Sequence, residues 1–369
     1  MRFLLAAGGT GGHVIPALVV ARELLVRNPD HDVLFVGTAK GVENRLVPQH
    51  GFPLELVEVS ALQGQPIAAR SRNLLRLPRA LWQASRILER FQPHVVLGVG
   101  GYAAGPVMLA AAFAGIPLAV LEPNAFPGMA NRWVAPYVAR AFLGFPETAS
   151  HFGAVSSLMV GIPVRPEFFE IRSKPHAKPV GAPFTVLIFG GSQGARTLNR
   201  AVVEALPELE QCGTDIHLVH QTGQNEYNAV VEAYAKYSIH AEVLPYFDGM
   251  ADMFARADLV VCRAGANTVA ELAAAGKAAI LVPFPSAANQ HQLRNAQALV
   301  RIVAGKLIPD RDLSGGTFFA AVEEMRRNPG KREHLEARIR TLAHPEATSR
   351  IADELERLAR VGGAGRAVH

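Results

Sequence analysis

The chain of 369 residues is short of several things, and each shortage narrows what it can be. It has two cysteines, Cys212 and Cys262. One conceivable pair in a chain this long is no disulfide framework, which points to a reducing compartment. The apolar start of "MRFLLAAGG" is too short for a signal peptide. Charged residues make up only 19% against 49% hydrophobic, and no low-complexity tract interrupts them, so a large packed core is expected rather than disorder. No G-x-x-x-x-G-K-[ST] stretch occurs, which argues against a nucleoside-triphosphate P-loop. The dinucleotide fingerprint is also broken. From Gly9 the pattern reaches Val14 where its third glycine belongs, and "LFVGTAKG" lacks the ribose-binding acid, so an oxidoreductase is disfavoured. The acidic pairs "DHD" (30–32) and "DRD" (310–312) do not follow a strand into a cleft. No metal site or required cofactor is assigned, and divalent-cation dependence stays open.

Residues 95–121 hold no charge, long enough to imitate a membrane span. Gly98, Gly100, Gly101, Gly105, Pro106, Gly115 and Pro117 cut this run into pieces, and it reads as a buried strand–loop–helix–strand. Short apolar runs alternate with helix-like segments through the whole chain. "RFLLAA", "HDVLFVG", "HVVLGVG", "PLAVLE", "FTVLIFG", "DIHLVHQ", "AEVLPY", "ADLVVCR" and "AAILVPF" read as strands, "PALVVARELLVR" and "ARTLNRAVVEALPELE" as helices. That alternation predicts parallel sheets covered on both faces. "FLLAAGGTGGH" is echoed by "VLIFGGSQGAR" half a chain later, so two doubly wound domains are expected, joined through the proline-rich stretch after Val160.

Three strand–glycine–helix junctions, "AGGTGGHVIPA", "GVGGYAAGP" and "FGGSQGART", have the layout of anion sites. Glycine lets backbone amides approach a ligand, and the following helix end is partly positive. His13 follows the first turn. It is either a base for an incoming hydroxyl or a helix-terminal residue bonded locally. Glu271 reads as an acceptor for ribose hydroxyls, or with Thr268 as a T-x-x-E capping box. Asn289 and Gln292, and Glu122 and Asn124, are polar groups after strands, fit for sugar hydroxyls or for plain turns.

The net charge of +5 fits nucleic acid, an anionic membrane or a phosphorylated substrate. In residues 67–90 six arginines, including Arg76 and Arg79, accompany a single acid, Glu89, and are interleaved with Leu74, Leu75 and Trp82. Leu77, Leu81, Ala84 and Leu88 would face the core. Leu75 and Trp82, off that face among arginines, point to an anionic lipid surface. One tryptophan is a poor stacking platform, so no nucleic acid is expected.

Together "GGTGGHVIPA", "GVGGYAAGP", "GGSQGARTLN", "HQTG" and "CRAGANTVAELAAAGKAAILVPFP…NQHQLRNA" resemble the MurG family in order and spacing. The resemblance covers nearly the whole chain. It implies an α/β protein of GT-B architecture, with two Rossmann-like doubly wound parallel-sheet domains facing a cleft. Residues 1–163 would form the acceptor and membrane domain, 164–344 the donor domain, and a helix near 345–362 would return to the first. The implied activity is inverting transfer of GlcNAc from UDP-GlcNAc to the C4 hydroxyl of MurNAc in lipid I (undecaprenyl-pyrophosphoryl-MurNAc-pentapeptide), giving lipid II. The implied place is the cytoplasmic face of the bacterial inner membrane, held peripherally.

Carried over by position, the resemblance makes His13 the leading candidate base. It places Thr10, Gly11, Gly12, Asn124 and Arg165 near the donor and Ser192 on its diphosphate. Phe247 falls at uracil, and Ala266, Asn267, Thr268, Val269, Ala270 and Glu271 cradle the nucleotide, with Glu271 on ribose and Gln292 on the sugar. Leu121 and Pro123 stand where the family often has histidine and glutamine, and His291 or Gln290 competes with Gln292 for its place. A UDP-GlcNAc 2-epimerase on a similar scaffold is the nearest rival, though it would need no lipid-facing segment. A noncatalytic nucleotide-sugar binding subunit is another.

Overall fold

The computed structural model describes residues 1–59, 77–173, 181–191 and 193–366. These divide into two compact units, one of residues 1–164 with 344–369 and one of residues 165–343.

The first unit is built on seven parallel strands: β1 (Arg2–Ala7), β2 (Asp32–Gly37), β3 (Leu54–Leu56), β4 (Val95–Gly100), β5 (Leu118–Glu122), β6 (Arg140–Leu143) and β7 (Ser157–Met159). Their spatial order is β3-β2-β1-β4-β5-β6-β7. Side chains alternate across a strand, and β1 shows why its sequence is apolar from Phe3 onward. Phe3 and Leu5 join a core cluster with the helix Gly11–Arg27, while Leu4 and Ala6 join a second cluster on the other face with Ala104, Val107 and Met108. The uncharged run 95–121 is β4, the helix Ala104–Phe113 and β5, as its glycines and prolines predict. No helix among the described residues is long and apolar enough to cross a membrane.

The last helix, Ala347–Arg366, sends Ile351, Ala352, Leu355, Leu358 and Ala359 into the Phe3/Leu5 cluster. The three- and four-residue spacing puts these side chains on one stripe. Arg27 reaches from the first helix to Asp353 at 2.5 Å and to the Ser349 carbonyl at 2.9 Å, and Arg140 meets Glu354 at 3.1 Å.

The second unit repeats the plan with β8 (Phe184–Phe189), β9 (Ile216–Gln221), β10 (Ala241–Leu244), β11 (Leu259–Cys262), β12 (Ala279–Leu281) and β13 (Lys306–Leu307), ordered β10-β9-β8-β11-β12-β13 and parallel. The helix expected over 195–210 is two, Arg196–Glu204 and Leu206–Glu210. Pro207 has no N–H for a continuing ladder, and the break falls just before it.

Both sheets run outward from their first strand and then restart on its other side. This creates a switch point between β1 and β4 and another between β8 and β11, the places where open α/β sheets take ligands beyond their carboxyl ends.

Candidate functional site

At the first switch point two glycine turns lie backbone against backbone. A Cβ on Gly101 would stand 2.0 Å from the Gly8 carbonyl oxygen, and one on Gly100 would stand 2.8 Å from the His13 ring. Both glycines hold positive φ, +86° and +115°. Only glycine permits this contact, so the second turn sets where the His13 ring lies. Thr10 is the N-cap of the helix Gly11–Arg27, His13 is its third residue, and the His13 Nδ1 lies 3.4 Å from the Thr10 hydroxyl. The structure thus brings Thr10, Gly11, Gly12 and His13 together at one helix start.

Sequence reasoning missed the group that braces this turn. Glu43, fully buried, accepts the Gly9 N–H at 2.9 Å on one oxygen and the Thr38 N–H and hydroxyl at 2.8 and 2.9 Å on the other. Gly8, Gly37 and Gly41 all lack room for a Cβ against it. Those clustered glycines around one glutamate were the available signal.

Glu122, at the carboxyl end of β5, is also buried. It accepts from the Asn124 backbone at 3.0 Å and side chain at 3.2 Å, from Gly128 at 2.8 Å and from Asn131 at 2.9 Å. Burial pushes its carboxyl above the usual range. Its bonds fix the loop that carries Asn124.

In the second unit, the turn after β8 meets the "HQTG" loop. A Cβ on Gly194 would strike the Thr222 carbonyl oxygen at 2.1 Å, and the Gln221 amide donates to the Gly191 carbonyl at 3.0 Å. Ser192 lies outside the described residues. Behind the turn, Asn199 bonds His220 at 3.1 Å and the Thr222 carbonyl at 2.9 Å. Burial drives the His220 imidazole down to about 3, so it serves as a neutral strut. Asp310 does not stand idle in a loop. It begins a 3-10 turn and holds the Arg263 guanidinium at 2.5 Å, while Thr197, on the helix after the turn, donates to it at 2.6 Å. A buried cation, a carboxylate and a hydroxyl thus pin the helix start to the end of β11.

Glu271 lies on the helix Ala266–Ala275, which follows β11 and starts at Gly265 with no side-chain cap. Its pairing with Thr268 as a capping box is therefore corrected: Thr268 sits inside the first turn. Glu271 instead pairs with Arg165 at 3.3 Å. Burial outweighs that partner and raises its carboxyl to about 7. Ala266, Asn267, Thr268, Val269 and Ala270 form the turn ahead of it. Phe247 is buried, so its ring packs inward, while the neighbouring Tyr246 and Asp248 are exposed. Gln292 uses its carbonyl oxygen to accept the Phe284 N–H at 2.9 Å. The neighbouring Asn289 and Gln290 hold positive φ, 52° and 54°.

On the helix Leu77–Phe91 the core face is Ala80, Ala84, Ile87 and Leu88, not the stripe through Leu77 and Leu81, which are only half-buried. Trp82 is 65% exposed. The arginine excess is smaller than the segment alone implies, because Arg79 pairs with Glu58 at 3.0 Å and Arg90 with Glu55. Leu74, Leu75 and Arg76 lie outside the described residues. Among the described residues no cluster of three His, Cys, Asp or Glu side chains is arranged to hold a metal ion.

Residues 3–143 match the glycosyltransferase family 28 N-terminal domain, and residues 185–351 match its C-terminal domain. A UDP-N-acetylglucosamine–N-acetylmuramyl-(pentapeptide) pyrophosphoryl-undecaprenol N-acetylglucosamine transferase of Anaeromyxobacter sp. (strain K) is 45% identical over 98% of this chain and 94% of its own. The crystal structure of Acinetobacter baumannii MurG superposes with a TM-score of 0.77 at 30% identity, covering 96% of this chain and 99% of that one. A UDP-GlcNAc 2-epimerase from Neisseria meningitidis shares the fold, with a TM-score of 0.69 at 12% identity over 97% of this chain and 100% of its own.

Proposed function

Because the chain belongs to the MurG family of glycosyltransferase family 28, we propose that it carries out that family's reaction, moving GlcNAc from UDP-GlcNAc to lipid I. It is an inverting glycosyltransferase of the GT-B class, and lipid II is its product. The observation that carries this reading is the 45% identity sustained over 98% of the chain, since it spans both glycine turns, His13 and Glu271 together. The epimerase likeness, at 12% identity, concerns fold alone.

His13 takes the proton from the C4 hydroxyl of MurNAc as that oxygen attacks C1 of GlcNAc. The C1–O bond to the diphosphate breaks on the opposite face, so the configuration at C1 inverts. Charge then grows on the leaving UDP. The start of the helix Arg196–Glu204, which follows the glycine turn, is suited to hold it, and Ser192 is assigned to the same diphosphate. Glu271 accepts the ribose hydroxyls, with Arg165 steadying its charge. The Phe247 backbone faces uracil, and Gln292 donates to the sugar. Thr10, Gly11, Gly12 and Asn124 serve the sugar and diphosphate. Trp82 and the arginines near it hold the protein peripherally on an anionic membrane, at the cytoplasmic face where UDP-sugars are available.

The test uses purified protein, radiolabelled UDP-GlcNAc and a lipid I analogue. Label in a disaccharide-lipid is the expected result. Free UDP with ManNAc would establish epimerisation instead, and binding without conversion a noncatalytic subunit. His13→Ala should lower kcat by about 10²–10⁴-fold while leaving UDP binding unchanged. Near-parental turnover would remove His13 as the base.

A further inference from the structure

We propose that Glu43 is a positioning residue: it acts as a built-in anion that fills the Gly9 amide of the first glycine turn. The turn is thereby shaped before any substrate arrives, and it presents Thr10 and His13 rather than receiving a phosphate at Gly9. Where turnover is concerned, this rests on the transferase reading above.

A glycine turn before a helix is ordinarily an invitation to phosphate. Here the Gly9 N–H already donates to the Glu43 Oε2 at 2.9 Å. The carboxylate is fully buried, and its other oxygen is held by the Thr38 N–H and hydroxyl at 2.8 and 2.9 Å. A second anion at Gly9 would meet a resident negative charge at close range in a poorly screened place. The next residue, Thr10, caps the helix and lies 3.4 Å from the His13 Nδ1. Fixing Gly9 therefore fixes the cap and the imidazole that leans on it. The second unit makes a useful contrast. Its turn is braced through a carbonyl, the Gln221 amide donating to Gly191 O at 3.0 Å, and that brace brings no charge. The two turns look alike in sequence, yet among the described residues only the first carries an internal carboxylate on an amide.

Both oxygens of Glu43 face donors, which makes glutamine a sharp probe despite its shape. Whichever way an amide turned, its NH2 would oppose either the Gly9 or the Thr38 N–H, and one buried donor would lose its acceptor.

The experiment has two arms. In the unaltered full-length protein labelled with 15N-glycine, the Gly9 amide should exchange slowly without ligand and stay unmoved by added inorganic pyrophosphate. Fast exchange there, or a pyrophosphate-dependent shift at Gly9, would overturn the proposal without reference to activity. In Glu43→Gln, Gly9 exchange should accelerate at least tenfold. Its kcat with UDP-GlcNAc and a lipid I analogue should fall at least tenfold, with KM for UDP-GlcNAc changing less than threefold. A kcat within twofold of the parent would contradict the role, and so would a parallel loss of kcat, donor KM and melting temperature, which marks general destabilisation. If the parent itself forms no disaccharide-lipid, the transferase reading fails while the exchange arm still decides the fate of Glu43.

Discussion

Glu271 shows how much one side chain's surroundings can settle. Its carboxyl ordinarily titrates near 4.5, and burial lifts it to about 7 against the pull of Arg165. The folded protein thus binds this proton more tightly than the unfolded chain. The associated stability is present below pH 4.5 and is lost as pH rises through 7. Each tenfold difference in proton affinity is worth about 1.4 kcal/mol, so the parent should lose about 2–3 kcal/mol relative to Glu271→Gln between pH 5 and 8. Denaturant unfolding of both proteins across that range checks this, and parallel curves would contradict it. UDP affinity in the parent should also rise with pH over the same interval, because a ribose diol needs the ionised acceptor. Only part of this scale was legible in the sequence. His13 stands out after its glycines. The ion pair of Glu271 with Arg165 does not, because the partners are distant in sequence and a T-x-x-E spelling offered a local alternative. Glu43 went unread for a related reason: the glycines crowding it follow different strands, and its purpose appears only when β1 and β2 lie side by side and bring Gly9 and Thr38 to one carboxylate.

Among elements, the long apolar strands declare themselves, since β1, β4 and β8 are buried on both faces and so read as near-continuous hydrophobic runs, while β9, almost as buried, carries His217, His220 and Gln221. β3, β7 and β13 escape because they are edge strands of two or three residues, too short to show a pattern. The glycines divide into those a turn needs and those it merely tolerates. Gly101→Ala would add a Cβ 2.0 Å from the Gly8 carbonyl oxygen at φ +86°, and should cost about 2–5 kcal/mol from clash and backbone strain together. Gly115→Ala, at φ +63° with nothing within 4 Å, should cost only about 1–2 kcal/mol. Equilibrium unfolding of the two variants measures the difference. Equal losses would mean that the contact between the two turns does not organise the first switch point.

For the molecule as a whole, the echo between two glycine turns foretold two sheets of like build, and both have the same switch-point topology. What the echo concealed is that the turns are not chemically equivalent, one carrying an internal carboxylate and the other a neutral brace. The membrane-facing role assigned to the helix Leu77–Phe91 is also a property of the whole protein acting at a surface. Trp82→Ala removes a ring that is 65% exposed, so it should weaken binding to anionic vesicles several-fold without lowering the melting temperature. Unchanged vesicle binding would assign that face elsewhere.

The central claim is direct displacement at C1 of GlcNAc by an acceptor hydroxyl. The measurement that tests it most directly is UDP release from UDP-GlcNAc with and without a lipid I analogue, paired with the anomeric configuration of the sugar transferred. Acceptor-dependent release with an α-linked donor giving a β-linked disaccharide-lipid is the predicted result. Release without acceptor, or retention of the α linkage, would contradict it.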